Sequence, residues 1–422
     1  MRYLVRGGMS PLENMSVATI MGQNLLGSNA GNLVYQYSVC RSLMTSSRVE
    51  FVMDRYRMTA RSARWVNRHC DAFVIPLADA FRPDCAKDLG RLTALVRKLD
   101  IPCIVIGAGL RAGPNTDLDG PFSFDGTVRE FLDAVLQKSA LVGLRGRTTA
   151  CYLERLGYRE GVHYQVIGCP SMYLYGAALP RQRPPEVSDG MRINVNMNVW
   201  SKRKVTRCLQ TVLRDYPNSV YTAQRAEELV TMRLGRPYTT RSWIEPYPRT
   251  LDDPLYQACR VRFFVHAQAW IDALREDDLS IGGRLHGNIA AVLAGTPTVI
   301  LPRDYRMTEL VEYHALPHIP GQRVKEDWSL RKLLRRVVRK DMEGRHKENF
   351  AGYKAFLEAN GLHHIFERHD EVAVAPLDAA LSARTSEHDV VYPESRRGVS
   401  RIVEHAAFAA DHALGATRKV LG

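Results

Sequence analysis

Along the first half of the chain, short apolar runs alternate with stretches whose apolar residues return at helical spacing. The runs Arg2–Arg6, Val49–Met53, Ala72–Pro76, Ile101–Gly107, Ala140–Leu144 and Tyr164–Ile167 read as strands. Between them Thr127–Gln137 puts Phe131, Leu132, Val135 and Leu136 on one helical face. That alternation predicts a mainly parallel sheet with helices on both sides. The stretch 179–190, with Pro180, Pro184, Pro185 and a closing Asp189-Gly190, has no apolar period and reads as a linker. Beyond it the alternation resumes with Met191–Val199, Ser219–Thr222, Arg262–His266, Asp278–Ile281 and Thr298–Leu301, which implies a second α/β unit. The expected organisation is a first domain over 1–178, the linker over 179–190, a second domain over 191–321 and a helical extension over 322–422.

Past about residue 322 no further strands are expected. Leu330, Leu333, Leu334, Val337 and Val338 recur at helical spacing opposite Arg331, Lys332, Arg335, Arg336, Arg339 and Lys340, which predicts a basic amphipathic helix over 330–340. Such a helix packs on its own domain or docks on an anionic membrane surface. The alanine-rich stretch Val399–Val420 reads as a weaker terminal helix or a partly disordered tail.

Composition narrows the partners. A chain of 422 residues suits two domains, and 45% hydrophobic with 24% charged residues is a globular profile. The net charge of +13 favours something anionic, either a phosphorylated small molecule or a membrane surface. Nucleic acid is set aside, because no RNP, helix-turn-helix or zinc-finger pattern accompanies the basic residues. The eight cysteines stand singly, without C-x-x-C pairs, so reduced thiols and no metal site are expected. Neither an export signal nor an apolar run of spanning length is evident, which points to the cytoplasm, with the inner face of the membrane as a possible station of the basic helix.

The chemistry concentrates in Leu279–Leu301, a strand, a Gly-Gly turn, a helix and another strand. A helix N-terminus presents free N–H groups and the positive end of its dipole, and with the Arg284 side chain it would form an anion site. Gly282 and Gly283 would let a ligand approach the backbone, and Leu285 and His286 open the helix. His286 could donate a proton to a bound ligand. A structural histidine and a tight βα connection are the plainer alternatives.

The same segment resembles the Arg-Leu-His-(Gly/Ala) signature of polysaccharide pyruvyltransferases, with its Ala-rich helix and Ala-Gly-Thr-Pro. Three further stretches agree: Val142–Gly157, with Arg145 ending a strand; the turn Gly27-Ser-Asn-Ala-Gly-Asn32, with Asn29 and Asn32; and Asp304-Tyr-Arg-Met-Thr-Glu309. The strand end Ile75-Pro-Leu-Ala-Asp-Ala-Phe-Arg82 departs from the family's Gly-rich pattern, and Gly146 stands where an acidic residue often follows the strand arginine.

The resemblance implies a GT-B-like fold, two Rossmann-like domains facing across a cleft with C-terminal helices returning to the first. It implies phosphoenolpyruvate as donor substrate, no other cofactor, and a glycan or lipid-linked saccharide as acceptor, met on the first-domain side. It gives His286 the role of general acid, with Arg145, Arg284, Leu285, Gly282, Gly283, Asn29 and Asn32 as substrate-binding residues. Asp304, Arg306 and Glu309 could instead form a network under the cleft, and His266 and Gln268 are left outside the catalytic set. A nucleotide-sugar glycosyltransferase and a non-catalytic scaffold remain the competing functions. Neither the acceptor's hydroxyls nor the oligomeric state can be read from the sequence.

Overall fold

The computed structural model describes residues 1–112, 116–182, 184–237, 247–384 and 389–393. Two parallel sheets form the frame. The first has the order β2-β1-β3-β4, with β1 at Arg2–Val5, β2 at Glu50–Met53, β3 at Ala72–Pro76 and β4 at Cys103–Ile106. The pair β5 (Val142–Leu144) and β6 (Tyr164–Val166) continues it through a parallel bridge between Ala108 and Leu144. The strands lie within a residue or two of their predicted ends, and the helix expected over 127–137 is Asp125–Leu136.

The second sheet has the order β11-β10-β7-β8-β9-β12. Its strands are β7 (Ile193–Asn196), β8 (Val220–Ala223), β9 (Val261–Phe264), β10 (Leu279–Gly282), β11 (Thr298–Ile300) and β12 (Val390–Val391). All pairings are parallel except β12, which runs antiparallel to β9. In each sheet the first strand has neighbours on both sides that leave it in opposite directions, which opens a crevice at the carboxyl ends of β1/β3 and β7/β10.

One face of the first sheet packs a core of its own around Leu4, Phe73, Ile75 and Val105. The other face shares a continuous core with the second sheet, so Tyr3 and Ile104 belong to the same apolar cluster as Ile193 and Leu279. Polar clamps add to this joint. Ala30 N donates to Gln224 O at 2.8 Å, and Cys169 N donates to His314 Nε2 at 2.8 Å. The long helix Met342–Ala359 crosses back to the first sheet, where Gln165 donates to Gly352 O (2.9 Å) and Asn360 Oδ1 accepts from Ala140 N and Leu141 N. The GT-B-like arrangement implied by the resemblance is the observed one.

Two expectations fail. Strands do not end near residue 322: β12 closes the outer edge of the second sheet. The basic helix over 330–340 is one short turn, Leu330–Leu334. β-Branched Val338 exchanges backbone hydrogen bonds with His318 instead of continuing the helix, and Arg336 stacks over Trp328 at 4.6 Å. The expected membrane contact therefore loses the continuous basic face it rested on. The stretch Val399–Val420 lies outside the described residues. No helix among the described residues is long and apolar enough to cross a membrane.

Arg41, fully buried in the helix Gly31–Leu43, ties down the C-terminal segment. Its Nε and Nη2 engage Asp378 at 3.0 and 2.7 Å, and Nη2 also donates to Val372 O. Removing the carboxylate leaves a buried cation unpaired, so Asp378→Ala is expected to destabilise by about 3 kcal/mol in urea unfolding. The double variant Arg41→Met/Asp378→Ala should recover part of that loss.

Candidate active site

The turn after β10 is built by asparagines. β7 reads Ile193-Asn194-Val195-Asn196, with every residue buried, and Asn198 follows it. Asn196 Oδ1 accepts from Arg284 N at 2.9 Å and from Asn288 Nδ2 at 3.1 Å, while Asn198 Nδ2 donates to Gly283 O at 3.2 Å. These amides hold the turn so that the helix Leu285–Ala294 begins with its free N–H groups at the crevice. Gly282 is needed for packing: a Cβ there would lie 2.1 Å from Asn196 O.

Across the joint the Arg145 side chain leaves the end of β5 and runs beneath Gly107, to whose carbonyl its Nε donates at 2.9 Å. Its guanidinium also lies 5.7 Å over the Tyr35 ring. Arg284 is fixed by Nε donating to Met197 O at 3.0 Å. Both residues are buried, and Arg145 Nη1 and Nη2, Arg284 Nη2 and the neighbouring Gln224 Nε2 have no hydrogen-bond partner among the described residues. All four are donors. They border a cavity of ≈ 240 Å³ between the two sheets, whose lining also includes Arg111, Arg303 and Arg306 and a single carboxylate, Asp79.

The electrostatics follow from that imbalance. Burial alone would raise Asp79, but Arg306, Arg82, Arg145 and Arg111 outweigh it and hold the carboxyl well below its ordinary range. Arg306 Nη1 is its nearest partner, at 3.0 Å. Burial first, opposed by Asp304 and reinforced by Arg306, Arg111 and Arg284, pushes Arg303 down to about 10. His286 is pushed down to about 3 by burial first and then by Arg145 and Arg306, so the imidazole is neutral at pH 7.

His286 stacks against Tyr35 with ring centroids 6.0 Å apart, and its Nε2 lies 3.7 Å from Cys169 Sγ. Gly31 admits it: a Cβ there would lie 2.7 Å from His286 Nδ1.

Of the expected site residues, the structure brings His286, Arg145, Arg284, Leu285, Gly283, Asn29 and Asn32 to this one cavity. Gly282 stands behind it, filled against β7 as described. The Asn29 and Asn32 amides hold their own turn, Oδ1 of the first accepting from Gly31 N (2.7 Å) and Nδ2 of the second donating to Leu26 O (2.8 Å). Asp304, Arg306 and Glu309 each engage a different partner, with Arg306 Nε 3.9 Å from Asp304 Oδ1 and Arg306 itself lining the cavity. Asp304 caps the helix Tyr305–Tyr313, Arg306 pairs with Asp79, and Glu309 reaches across to accept from Thr149 N and Oγ1 at 3.0 Å. His266 lies apart, with Nε2 3.1 Å from Pro11 O, in a cavity beside Gln268 and Asp378.

A sequence model of the polysaccharide pyruvyl transferase family matches residues 44–305. The chain belongs to this family. As a polysaccharide pyruvyl transferase family member it is a transferase, and the match takes in β2 through β11 and both arginine-bearing walls of the cavity. No curated protein matches the chain in sequence. Among solved structures, it is similar to an uncharacterized Klebsiella pneumoniae protein at 13% identity, covering 76% of this chain and 92% of that one, with a TM-score of 0.40. The Neisseria meningitidis UDP-GlcNAc 2-epimerase is similar at 9% identity, covering 85% and 100%, with a TM-score of 0.42. Anabaena HepE, in complex with UDP and glucose, is similar at 12% identity, covering 85% and 97%, with a TM-score of 0.39.

Sequence reading missed Asp79, Arg111, Arg303, Gln224 and the asparagines of β7. The alternation Asn194, Asn196, Asn198 was a usable signal, since polar residues at period two on an otherwise apolar strand mark a face that serves something other than the core.

Buried neutral histidines make the site acid-sensitive. His314 is pushed down to about 3 by burial and then by His346, against about 6.5 in an unfolded chain. Between those values the unfolded chain binds protons that the folded one does not, so stability falls as pH drops below 6.5. At pH 5 His314 accounts for about 2 kcal/mol of that loss. His314→Gln keeps an acceptor for Cys169 N–H, and urea unfolding at pH 7 and pH 5 should show its acid-side loss smaller by about that amount.

Proposed function

We propose that the chain moves the pyruvyl group of phosphoenolpyruvate onto two hydroxyls of one saccharide unit, giving a pyruvate ketal and releasing phosphate, with His286 as general acid. The observation that carries this reading is the convergence of buried, unpartnered guanidinium donors from both sheets beside His286. Buried cations without counter-charge are costly, and a small ligand with two anionic groups offsets that cost where a neutral one cannot. Phosphate and carboxylate each suit the planar fork of an arginine.

In the reaction the donor methylene takes a proton and becomes a methyl, which makes the adjacent carbon electrophilic. One sugar hydroxyl bonds to that carbon, the C–O bond to phosphate breaks, and the second hydroxyl completes the ketal. Of the two hydroxyl protons, one balances the methylene protonation and the other leaves with phosphate. Arg145 and Arg284 stabilise the charge shifting between carboxylate and phosphate.

His286 is neutral at pH 7, held so by burial and by the same arginines. A polyanionic donor neutralises those arginines and raises the imidazole, so the acid is charged when its substrate arrives. The site then carries no idle imidazolium to repel the surrounding cations.

Calorimetric titration of phosphoenolpyruvate should give saturable binding that Arg284→Ala weakens at least about tenfold, the loss of one charge-assisted contact. A nucleotide-sugar panel serves as control, and binding of a nucleotide sugar alone would replace this reading with glycosyl transfer.

Repeating the titration at pH 7 in buffers of different ionisation enthalpy should reveal proton uptake approaching one per donor bound. His286→Gln should bind the donor without that uptake and without releasing phosphate. Equal uptake in the variant would remove His286 from the acid's role.

A further inference from the structure

A second cavity, of ≈ 350 Å³, opens between the carboxyl ends of β1 and β3. It is bordered by Arg6 after β1 and by Pro76 to Asp79 after β3, the position where the strand order of the first sheet reverses. Gly27, Ser28, Asn32, Ala78, Asp79 and Arg82 line both this cavity and the arginine cavity, so the two share a wall.

Charge separates them. In the arginine cavity guanidinium nitrogens lack partners. Here each cation meets a carboxylate: Arg6 lies 3.9 Å from Asp54, Arg82 lies 3.7 Å from Asp79 and 3.4 Å from Asp84, and Arg91 lies 2.9 Å from Asp88. A site with its charges already balanced has little to offer an anion. Its lining still mixes acceptors and donors, which suits a polyhydroxylated neutral ligand.

One polar atom waits unsatisfied. Gln36 is only 3% exposed; its Nε2 donates to Tyr56 Oη at 3.0 Å, while Oε1 has no partner among the described residues. A buried carbonyl of this kind gains most from a hydroxyl donor. The surrounding backbone is held in an unusual form too. Asn24, Ser28 and Tyr56, with φ of 51°, 72° and 56°, are non-glycine residues in the left-handed region, and all three line this cavity.

We propose that this cavity is a saccharide subsite that binds an uncharged pyranose ring, with Gln36 Oε1 and Asp79 accepting from its hydroxyls. That the ring belongs to the acceptor rests on the pyruvyl-transfer reading. The shared wall brings a ring held here against a donor held by Arg145 and Arg284. Asp79 sits in the strand end that departs from the family's Gly-rich pattern, so it is a specificity-determining residue of this chain. With each cation of this cavity already facing a carboxylate, an acidic sugar finds no free countercharge here.

The test uses methyl hexopyranosides of gluco, galacto and manno configuration, their hexuronides and their 6-phosphates. Binding is followed by saturation-transfer NMR on the full chain, and phosphoenolpyruvate is titrated into the same preparations. At least one neutral hexoside should saturate and bind more tightly than its charged counterparts. Gln36→Leu should weaken it about five- to tenfold and leave phosphoenolpyruvate binding unchanged, the effect of one lost hydrogen bond.

Asp79→Asn guards against a variant that merely misfolds: it should weaken the hexoside and tighten phosphoenolpyruvate, opposite signs that unfolding cannot produce. The proposal is overturned if no neutral hexoside saturates, if hexuronides bind as well, if Gln36→Leu changes nothing, or if folded Asp79→Asn weakens both ligands. Hexoside binding that depends on Gln36, with no phosphoenolpyruvate binding, would keep the subsite and discard the donor reading.

Discussion

The constraint on which the rest depends is the uncompensated positive charge between the two sheets. Arg145 comes from the first sheet and Arg284 from the second, and both are almost wholly removed from water. A buried guanidinium without a carboxylate is tolerable only where fixed dipoles take part of its hydrogen-bonding capacity. Gly107 O takes Nε of Arg145 and Met197 O takes Nε of Arg284. Each side chain is thereby aimed, and Arg145 Nη1 and Nη2 and Arg284 Nη2 are left without a hydrogen-bond partner among the described residues. Asp79 moderates the field but cannot cancel it.

Orienting those arginines requires rigid ground beneath them. Asn194, Asn196 and Asn288, with Ser280 and Thr298, form a closed polar network inside the second sheet; Thr298 Oγ1 donates to Asn288 Oδ1 at 2.8 Å and Asn194 Nδ2 to Ser280 Oγ at 2.9 Å. Polar groups in a core are stabilising only if satisfied. Here the satisfied network fixes the turn that starts the His286 helix. The cavity's preorganisation is thus a property of the sheet, with the loop as its outcome.

The two-sheet plan was legible because apolar runs and helical periods are local signals, and β3 and β4 are buried on both faces as their continuous apolar runs imply. The Arg-Leu-His turn was legible as a family motif. What escaped were features set by distant contacts. Val337 and Val338 fit a helical stripe as well as a strand, and only the position of His318 decides between them. Asp79 and Arg306 lie 227 positions apart in sequence and 3.0 Å apart in space. The need for Gly7 and Gly8 is set by such contacts too: a Cβ at Gly8 would lie 1.8 Å from Leu25 O and one at Gly7 2.7 Å from Gln36.

The departure at Gly146 has a physical account. A Cβ there would come within 3.0 Å of the Glu309 side chain, so a larger residue and Glu309 compete for the same space. That space is taken by Glu309, from the helix Tyr305–Tyr313. Glu309 accepts from Thr149 N and Oγ1 at the start of the helix Arg147–Arg155, a helix N-terminus that favours a carboxylate. Burial nonetheless raises it to about 7, against the pull of Thr149, Arg145 and Arg306. Reaching from Glu309, the carboxylate ties the two domains together beside the arginines. Because this cap crosses between the domains, the alignment of the two cavity walls is part of the same interaction that satisfies the helix end.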